Sequence, residues 1–517
     1  MAYSTVLSAA LAGLEVMPVR VEADISNGLP MLQMVGYLSS EVKEASQRVR
    51  TAIHNSGIEL PARKMIVNLA PATVRKRGAS FDLPIALALL ASLGEIRGEY
   101  LERMMIAGEL GLDGSVQKIS GVLPIVLKAR EIGCHTCVIP KENALEGALV
   151  SGIEIIGVGH LKEICQHLKE EKKNGKIEKS KKTGKQTSLF MNESIGNLFD
   201  YSDIRGQAAV KRAAEVAVAG GHNLLLIGPP GSSKSMIASR IPTILPPLSL
   251  EESIEITKIY SVLGMLDEKH PLITTRPFRS VHHTVTKAAL IGGGNYPLPG
   301  EISMAHGGVL FLDELTEFQK SVLEVLRQPL EEHRIRLSRS HGNYCFPANF
   351  MLTAAMNPCP CGNYPNLNRC NCTSGQISHY LSKISQPFLD RMDICIEAPR
   401  MEYETLSSRQ KVENSSEIRK RVCQAREIQK RRYRKTPGQI NATLNPREIE
   451  KYCHLGEREE RLMRQAFQTM GLTARTYHKV LKVARTIADM EESREIRELH
   501  LKEALGYRTI DKKYWGR

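Results

Sequence analysis

Short apolar stretches at Val16–Ala23 and Lys64–Leu69 predict β-strands. Between them, apolar or small residues recur at Val42, Ala45, Val49 and Ile53, the spacing of one helix face, which predicts a helix over Ser39–Ser56 with Ser39 placed to cap it. The longest apolar run, Leu83–Leu93, predicts a buried helix; it is about half the length of a membrane span, so no membrane segment is expected. Residues 168–190 carry almost no apolar side chain and cannot bury enough surface to fold. Beyond residue 200, Leu224–Ile227 and Val309–Leu312 are continuous apolar runs, as in a parallel sheet covered on both faces. Strands alternating with helical stretches predict a doubly wound α/β core to about residue 400, and Tyr403–Arg517 reads as helical and highly charged. The expected organisation is a first domain over 1–167, a basic linker over 168–195, an α/β core over 196–400 and a helical domain over 401–517.

Length and composition agree with that division. The 517 residues suffice for about three domains. A hydrophobic fraction of 42% with 24% charged residues is ordinary for a globular protein with real cores, which excludes disorder as the main state. The N-terminus has no basic region before its apolar stretch, and Glu15 interrupts it, so no signal peptide is read and a cytoplasmic location is expected. The eleven cysteines should then be thiols or metal ligands. There are 70 basic against 56 acidic residues, a net charge of +14. Segment 168–190 has 8 Lys and 3 Glu, and segment 409–435 has 11 Lys or Arg and 3 Glu, so these two stretches supply 13 of the 14 charges. Such concentration suggests a polyanion partner, most often nucleic acid; a soluble linker plus a charged helix face is the other reading.

The clearest chemistry lies in the α/β core. Leu224–Ile227 runs into Gly228-Pro229-Pro230-Gly231-Ser232-Ser233-Lys234-Ser235 and then Met236-Ile237-Ala238-Ser239-Arg240. Strand, tight glycine-rich loop and helix in that order are the context of a phosphate-binding loop. Backbone N–H groups and the helix N-terminus are expected to face the β-phosphate of a nucleotide, Lys234 to reach the β- and γ-phosphates, and the Ser235 hydroxyl to be a ligand for Mg2+. Ser233 stands where glycine is usual. Val309–Leu312 delivers Asp313, suited to the magnesium shell, and Glu314, suited to polarising an attacking water. A third strand, Phe350–Ala355, ends at Met356-Asn357, where Asn357 can sense the γ-phosphate or simply form a turn before Pro358.

Cysteines and a basic stretch add two further signals. Cys359 and Cys361 are followed after eight residues by Cys370 and Cys372, a set that suits a closed tetrahedral zinc site or, on the plainer reading, four unmetallated loop thiols. Cys134 and Cys137 form a lone C-x-x-C with no thioredoxin-like pattern around it, and read as two packed thiols. Glu417–Lys435 carries Arg419, Lys420, Arg421, Arg426, Lys430, Arg431, Arg432, Arg434 and Lys435, which on a helix surround much of the circumference. They could neutralise several phosphates or sit against an acidic neighbouring subunit.

Together these motifs resemble the AAA+ ATPases of the magnesium-chelatase-like group. The resemblance is carried by GPPGSSKS at 228–235, RPFRSVHHT at 276–284, GGGNYPLPGEISMAHGGVLFLDEL at 292–315, AAMNPCPCG at 354–362, FLDRMD at 388–393 and LTARTYHKVLKVARTIADM at 472–490. With GLEVMPVRVEADISNGLP, NLAPATVRKRGASFDLPIAL and GELGLDGSVQKISGVLP near the N-terminus, the chain resembles the YifB/ComM family over nearly its whole length. The resemblance implies a homo-hexameric ring with ATP between subunits. In it Arg391 matches the arginine finger, Arg475 the second sensor and Asn357 the first sensor. It also implies that Arg276–Ile302, with Arg279, His282, His283 and Gly292–Gly294, is an insertion facing the ring's centre, where it either contacts a nucleic-acid backbone or forms a structural turn. Val281 stands there where proline is common.

Residues 1–167 resemble a Lon-type proteolytic α+β domain. Ser80 lies in the nucleophile's region, but the lysine position falls near Leu123, and leucine cannot act as a base, with Lys128 a helical turn or more away; no protease activity is expected. The expected function is a hexameric ATPase coupling hydrolysis to DNA remodelling, such as branch migration or helicase work in recombination or natural transformation. A metal-chelatase motor subunit and a protein-remodelling ATPase are the rivals.

Overall fold

The computed structural model describes residues 2–174, 199–339, 342–401, 403, 412–436 and 438–516. The first domain is a mixed seven-stranded sheet. Its strands are β1 (Ala2–Ala12), β2 (Glu15–Ser26), β3 (Met31–Val35), β4 (Lys64–Ala70), β5 (Met104–Ile106), β6 (Thr136–Pro140) and β7 (Glu154–Val158), in the order β3-β4-β2-β1-β5-β6-β7. The hydrophobic pattern assigns no element to Ala2–Ala12, yet it is a central strand, turned onto β2 at Gly13 with its φ of +67°. In β2 the buried Val19, Val21 and Ala23 alternate with more exposed neighbours, the period-two pattern of a sheet with one covered face.

The cover is helical. Helix α1 (Ser40–Asn55) buries Val42, Ala45, Val49, Ala52 and Ile53, and α2 (Asp82–Ser92) is buried along nearly its whole length. Ser39 occupies the cap position of α1 with extended backbone, but its hydroxyl makes no capping hydrogen bond, contrary to the sequence expectation. Cys134 and Cys137 are both buried beside and within β6, and burial pushes both thiols up. Helices α3 (Val122–Glu131) and α4 (Leu161–Asn174) complete the domain. The first residues of the stretch expected to be a linker, 168–174, continue helix α4. Leu161, Ile164, Cys165 and Leu168 anchor α4 in the domain core, and a Lys169–Glu95 ion pair carries it onward. The rest of that stretch, 175–195, lies outside the described residues.

The α/β core holds α5 (Ala208–Gly220), β8 (Leu224–Ile227), α6 (Lys234–Ile244), α7 (Leu250–Val262), β9 (Phe278–Val281), β10 (Val309–Leu312), α8 (Arg327–Glu332), β11 (Met351–Met356) and β12 (Ile394–Glu397). Its five strands are all parallel, in the order β9-β10-β11-β8-β12. β8, β10 and β11 are fully buried, as continuous apolar runs require. Helix α9 (Ser415–Arg432) packs back onto α5 and α6, α10 (Ala474–Met490) packs onto α5, and α11 (Glu498–Gly506) packs onto α10, all sharing one apolar core with β8. The two sheet domains also touch. Gly121 N–H donates to the Ser261 carbonyl at 2.9 Å, and the Ser261 hydroxyl donates to the buried Glu146 carboxylate at 2.6 Å. No described helix is long and apolar enough to cross a membrane.

The basic helix α9 corrects the picture of a freely charged cylinder. Arg419 donates to the Thr243 carbonyl, Arg421 pairs with Glu215 and Glu413, Arg426 donates to the Val218 carbonyl and Arg432 pairs with Asp489. These four cations are tied inward because α9 is a central packing helix of the C-terminal domain, leaving Lys420, Lys430, Arg431, Arg434 and Lys435 exposed. Fully buried Asp489 gathers Arg432, Arg485 and the Asn441 side-chain amide. Removing it leaves guanidinium charge stranded in the core. Asp489→Ala should cost about 3–5 kcal/mol in chemical or thermal denaturation; a loss below about 1 kcal/mol would mean that water replaces the carboxylate.

Candidate functional site

Parallel pairing places four strand ends side by side. Ile227 of β8 pairs with Met356 of β11, Leu312 of β10 pairs with Ala354 of β11, and Val281 of β9 pairs with Leu312. The segments that follow these strands, 228–235, 313–314, 357–362 and 282–283, therefore leave the sheet at its carboxyl edge, where open α/β sheets bind ligands.

The loop 228–235 wraps closely. A Cβ on Gly228 would lie 2.2 Å from the Ala398 carbonyl oxygen, so only glycine passes there. Lys234 opens α6, and its ammonium donates to the Gly228 and Pro229 carbonyls at 2.8 Å each, with the Asn357 side-chain oxygen at 3.3 Å. Burial pushes the Lys234 ammonium below the usual lysine range, and the Asp313 charge offsets part of that. A buried cation held only by neutral oxygens gains strongly from an anion beside it. Ser235 Oγ donates to Asp313 Oδ2 at 2.6 Å, and Glu314 N–H donates to Asp313 Oδ1 at 2.9 Å. The sequence-derived residues Lys234, Ser235, Asp313, Glu314 and Asn357 are thus gathered in one place.

Two non-glycine residues of this site hold left-handed backbone, Ser233 at φ +62° and Glu314 at φ +52°. Strain of this kind concentrates where a loop is shaped for a ligand. The structure adds a partner for Glu314 that the sequence did not indicate: His283 Nδ1 lies 3.4 Å from Glu314 Oε2, and the His282 ring lies 4.0 Å from that of His283. The β9–β10 register is what brings them together, and it is invisible in the local pattern. Arg276 and Arg279, at the start of the same segment, both have partners within the chain. Arg276 donates to the Pro246 and Gly307 carbonyls and pairs with Glu252, while Arg279 pairs with Glu301 at 2.7 Å.

The four cysteines converge. The sulfur atoms of Cys359, Cys361, Cys370 and Cys372 lie within 4.8 Å of one another, with Cys359–Cys361 at 3.4 Å and Cys361–Cys370 at 3.5 Å. Ligands about 2.3 Å from a tetrahedral zinc stand about 3.8 Å apart, so the set fits such an ion. A hydrogen bond from the Asn363 backbone holds the Cys361 thiol down, to about 6, while Cys370 and Cys372, beside it, are pushed up. The knuckle abuts the phosphate loop: a Cβ on Gly362 would lie 2.4 Å from Pro230 Cδ.

The remaining expected residues lie apart. Arg391 is nearly buried, pairs with Glu331 of α8 at 2.5 Å and also donates to the Pro387 carbonyl. Arg475 is exposed on the first turn of α10, near enough to Arg391 for their charges to repel. In the first domain Leu123 is fully buried at the start of α3, its N–H donating to Glu146 at 2.8 Å, and Lys128 pairs with Glu131.

Comparison with known proteins places this geometry. Residues 200–406 match the family described as magnesium chelatase, subunit ChlI; residues 21–143 match subunit ChlI of Mg-chelatase, and residues 412–508 its C-terminal portion. The YifB protein of Salmonella typhimurium is 43% identical over 513 residues, 99% of this chain and 98% of its own length. The competence protein ComM of Haemophilus influenzae is 41% identical over 512 residues, again 99% and 98%. A Lon protease of Mycolicibacterium smegmatis is 30% identical over 131 residues, 24% of this chain and 16% of its own.

Ser233 offers a test of the loop's strain. Left-handed backbone costs a residue with a Cβ about 1–2 kcal/mol, while glycine loses about 0.5–1 kcal/mol through the freedom of the unfolded chain. Ser233→Gly should therefore be neutral or stabilising by up to about 1 kcal/mol in denaturation without nucleotide. A clear destabilisation would show that the Ser233 side chain holds the loop.

Proposed function

From the premise that the chain belongs to the YifB/ComM family of magnesium-chelatase-like AAA+ proteins, we propose that it is a hexameric ATPase that couples ATP hydrolysis to remodelling of DNA, by branch migration or strand separation. The observation that carries the ATPase reading is the convergence of Lys234, Ser235, Asp313, Glu314 and Asn357 at one sheet edge. In this reading Gly231, Ser232 and Ser233 present backbone N–H groups to the phosphates, while Gly228, Pro229 and Pro230, the prolines having no N–H to give, shape the loop around them. Lys234 leaves its carbonyl partners for phosphate oxygens, and Ser235 and Asp313 hold the magnesium that arrives with ATP. Glu314 takes the proton of the attacking water, and His283 positions its carboxylate. Asn357 is in reach of Lys234 and so of the γ-phosphate side of the loop.

Arg391 and Arg475 are proposed to serve an ATP at a subunit interface; Arg391 would exchange Glu331 for that role. The DNA reading is supported by the net charge of +14, by the exposed cations on and just after α9 and by the name of one relative, the competence protein ComM.

Zinc is proposed for Cys359, Cys361, Cys370 and Cys372 as a structural ion. Its effect would pass through Gly362 to Pro230, so the cluster supports the phosphate loop. Metal analysis of the purified chain should find one zinc per chain, and a Cys370→Ser/Cys372→Ser variant should lose it. That variant should raise the KM for ATP more than it lowers kcat; unchanged ATP kinetics in the metal-free protein would separate the knuckle from the loop.

The deciding experiment is steady-state ATP hydrolysis, alone and with single-stranded, duplex and four-way-junction DNA at low and moderate salt, with Glu314→Gln as the blank. DNA should raise the rate several-fold and salt should abolish the effect. Hydrolysis indifferent to every DNA but raised by unfolded polypeptide would replace this reading with a protein-remodelling one. His283→Ala should lower kcat about tenfold or more with nucleotide affinity retained, the mark of a group acting on the hydrolytic carboxylate.

A further inference from the structure

A ladder of aromatic rings and guanidinium groups crosses from the first domain to the insertion of the ATPase core. Arg75 stands 5.4 Å from the ring centre of Tyr37 and 5.4 Å from that of Tyr296, and Arg77 lies 3.1 Å over the Tyr296 ring. The local backbone explains the arrangement. Lys76 N–H donates to the Tyr37 carbonyl at 2.9 Å, and the Lys76 carbonyl accepts from Ser39 N–H at 3.0 Å, so this segment is extended beside residues 37–39. In extended chain, successive side chains alternate. Lys76 is fully buried, its ammonium donating to the Pro71 carbonyl, while its neighbours Arg75 and Arg77 both reach Tyr296. Tyr296 sits in the hairpin between Gly292–Gly293 and Leu298–Pro299, and Arg339 reaches the Gly294 carbonyl of that hairpin at 3.5 Å.

Stacking uses the faces of a guanidinium and leaves its N–H edges. Among the described residues none of Arg75, Arg77 and Arg339 forms an ion pair with a carboxylate. Glu41 is near enough to feel the charges of Arg75 and Arg77. Arg75 Nε is buried with no hydrogen-bond partner. Tyr37 is 44% exposed, and Leu298 on the hairpin is 50% exposed. Flat faces alternating with cations match one chemistry in particular, a chain in which flat bases alternate with phosphates. A duplex hides its base faces, and an acidic peptide leaves the rings unused, so the occupant favoured is a single strand.

We propose that Tyr37, Arg75, Tyr296 and Arg77, with Arg339, form a landing site for single-stranded nucleic acid: bases extend the stack on Tyr37 and the guanidinium faces, and phosphates take the N–H edges. The inference rests on the DNA reading above and gives it a place. The hairpin belongs to the segment that starts at His282 and His283, so an occupied ladder is one segment away from Glu314.

Fluorescence anisotropy of the full chain with a labelled oligothymidine of about 30 nucleotides, several times the span of one stacking site, tests this across a salt series. Arg75→Ala/Arg77→Ala should weaken binding at least about tenfold and reduce the slope of log K against log salt by about 1.4, two single-strand phosphate contacts. Tyr37→Ala should weaken binding about tenfold and Tyr37→Phe should restore it, since the ring and not the hydroxyl is used. Should the arginine variant melt at a lower temperature, the Tyr37 pair still decides. If the parent chain binds the oligonucleotide and all variants bind it equally with equal slope, the ladder is only a clasp between domains and the proposal falls, while the DNA reading stands. If the parent binds no oligonucleotide, both fall. If polyglutamate displaces the probe as well as unlabelled oligothymidine does, and Tyr37→Ala has no effect, the site takes an acidic polypeptide and the proposal is overturned.

Discussion

Parallel pairing of β8 between β11 and β12 is the constraint on which the rest of the α/β core depends. A parallel strand buried on both faces must be apolar throughout, so the chemistry is confined to the loops beyond its carboxyl end. Because β11 separates β8 from β10, the phosphate loop and the paired acids come from strands that are not neighbours, and Asn357 sits between them. A slip of register in either ladder would move Asp313 away from Ser235, and the 2.6 Å contact between them records that the two loops are held in phase.

Around that edge, several elements lean on the same few residues. The cysteine knuckle follows Asn357 directly and presses Gly362 against Pro230. The segment after β9 sets His283 against Glu314 and continues into a hairpin whose Tyr296 stacks on arginines of the first domain. The first domain in turn holds α7 through Ser261, Gly121 and the buried Glu146. Glu146 also accepts from Leu123 N–H at the start of α3.

Charge is spent in two ways in this chain. Part of the basic excess is turned inward: Arg276, Arg419, Arg426 and Arg432 satisfy backbone carbonyls or, for Arg432, the buried Asp489 carboxylate. Counting cations along the sequence therefore overstates what α9 can offer a polyanion, since four of the nine expected there are turned inward. Arg75 and Arg77 make the opposite case, belonging to neither charge-rich segment yet stacked on rings and unpaired with any described carboxylate.

How much of this was legible beforehand follows from range. Strands such as Leu224–Ile227 and Lys64–Ala70, helix α1 and the phosphate loop rest on short-range pattern and turn chemistry, and the sequence is enough to place them. The residue types at Lys234, Ser235, Asp313, Glu314 and the four cysteines announce their chemistry by spacing alone. Strand β1, whose small and polar residues mask its pattern, escapes because its burial comes from partners far along the chain. So do the His283–Glu314 contact, the knuckle against Pro230 and the inward turn of the α9 arginines. Each depends on which strand lies beside which and on which helix face is covered. Those are decided by packing between distant segments, and no local pattern encodes them.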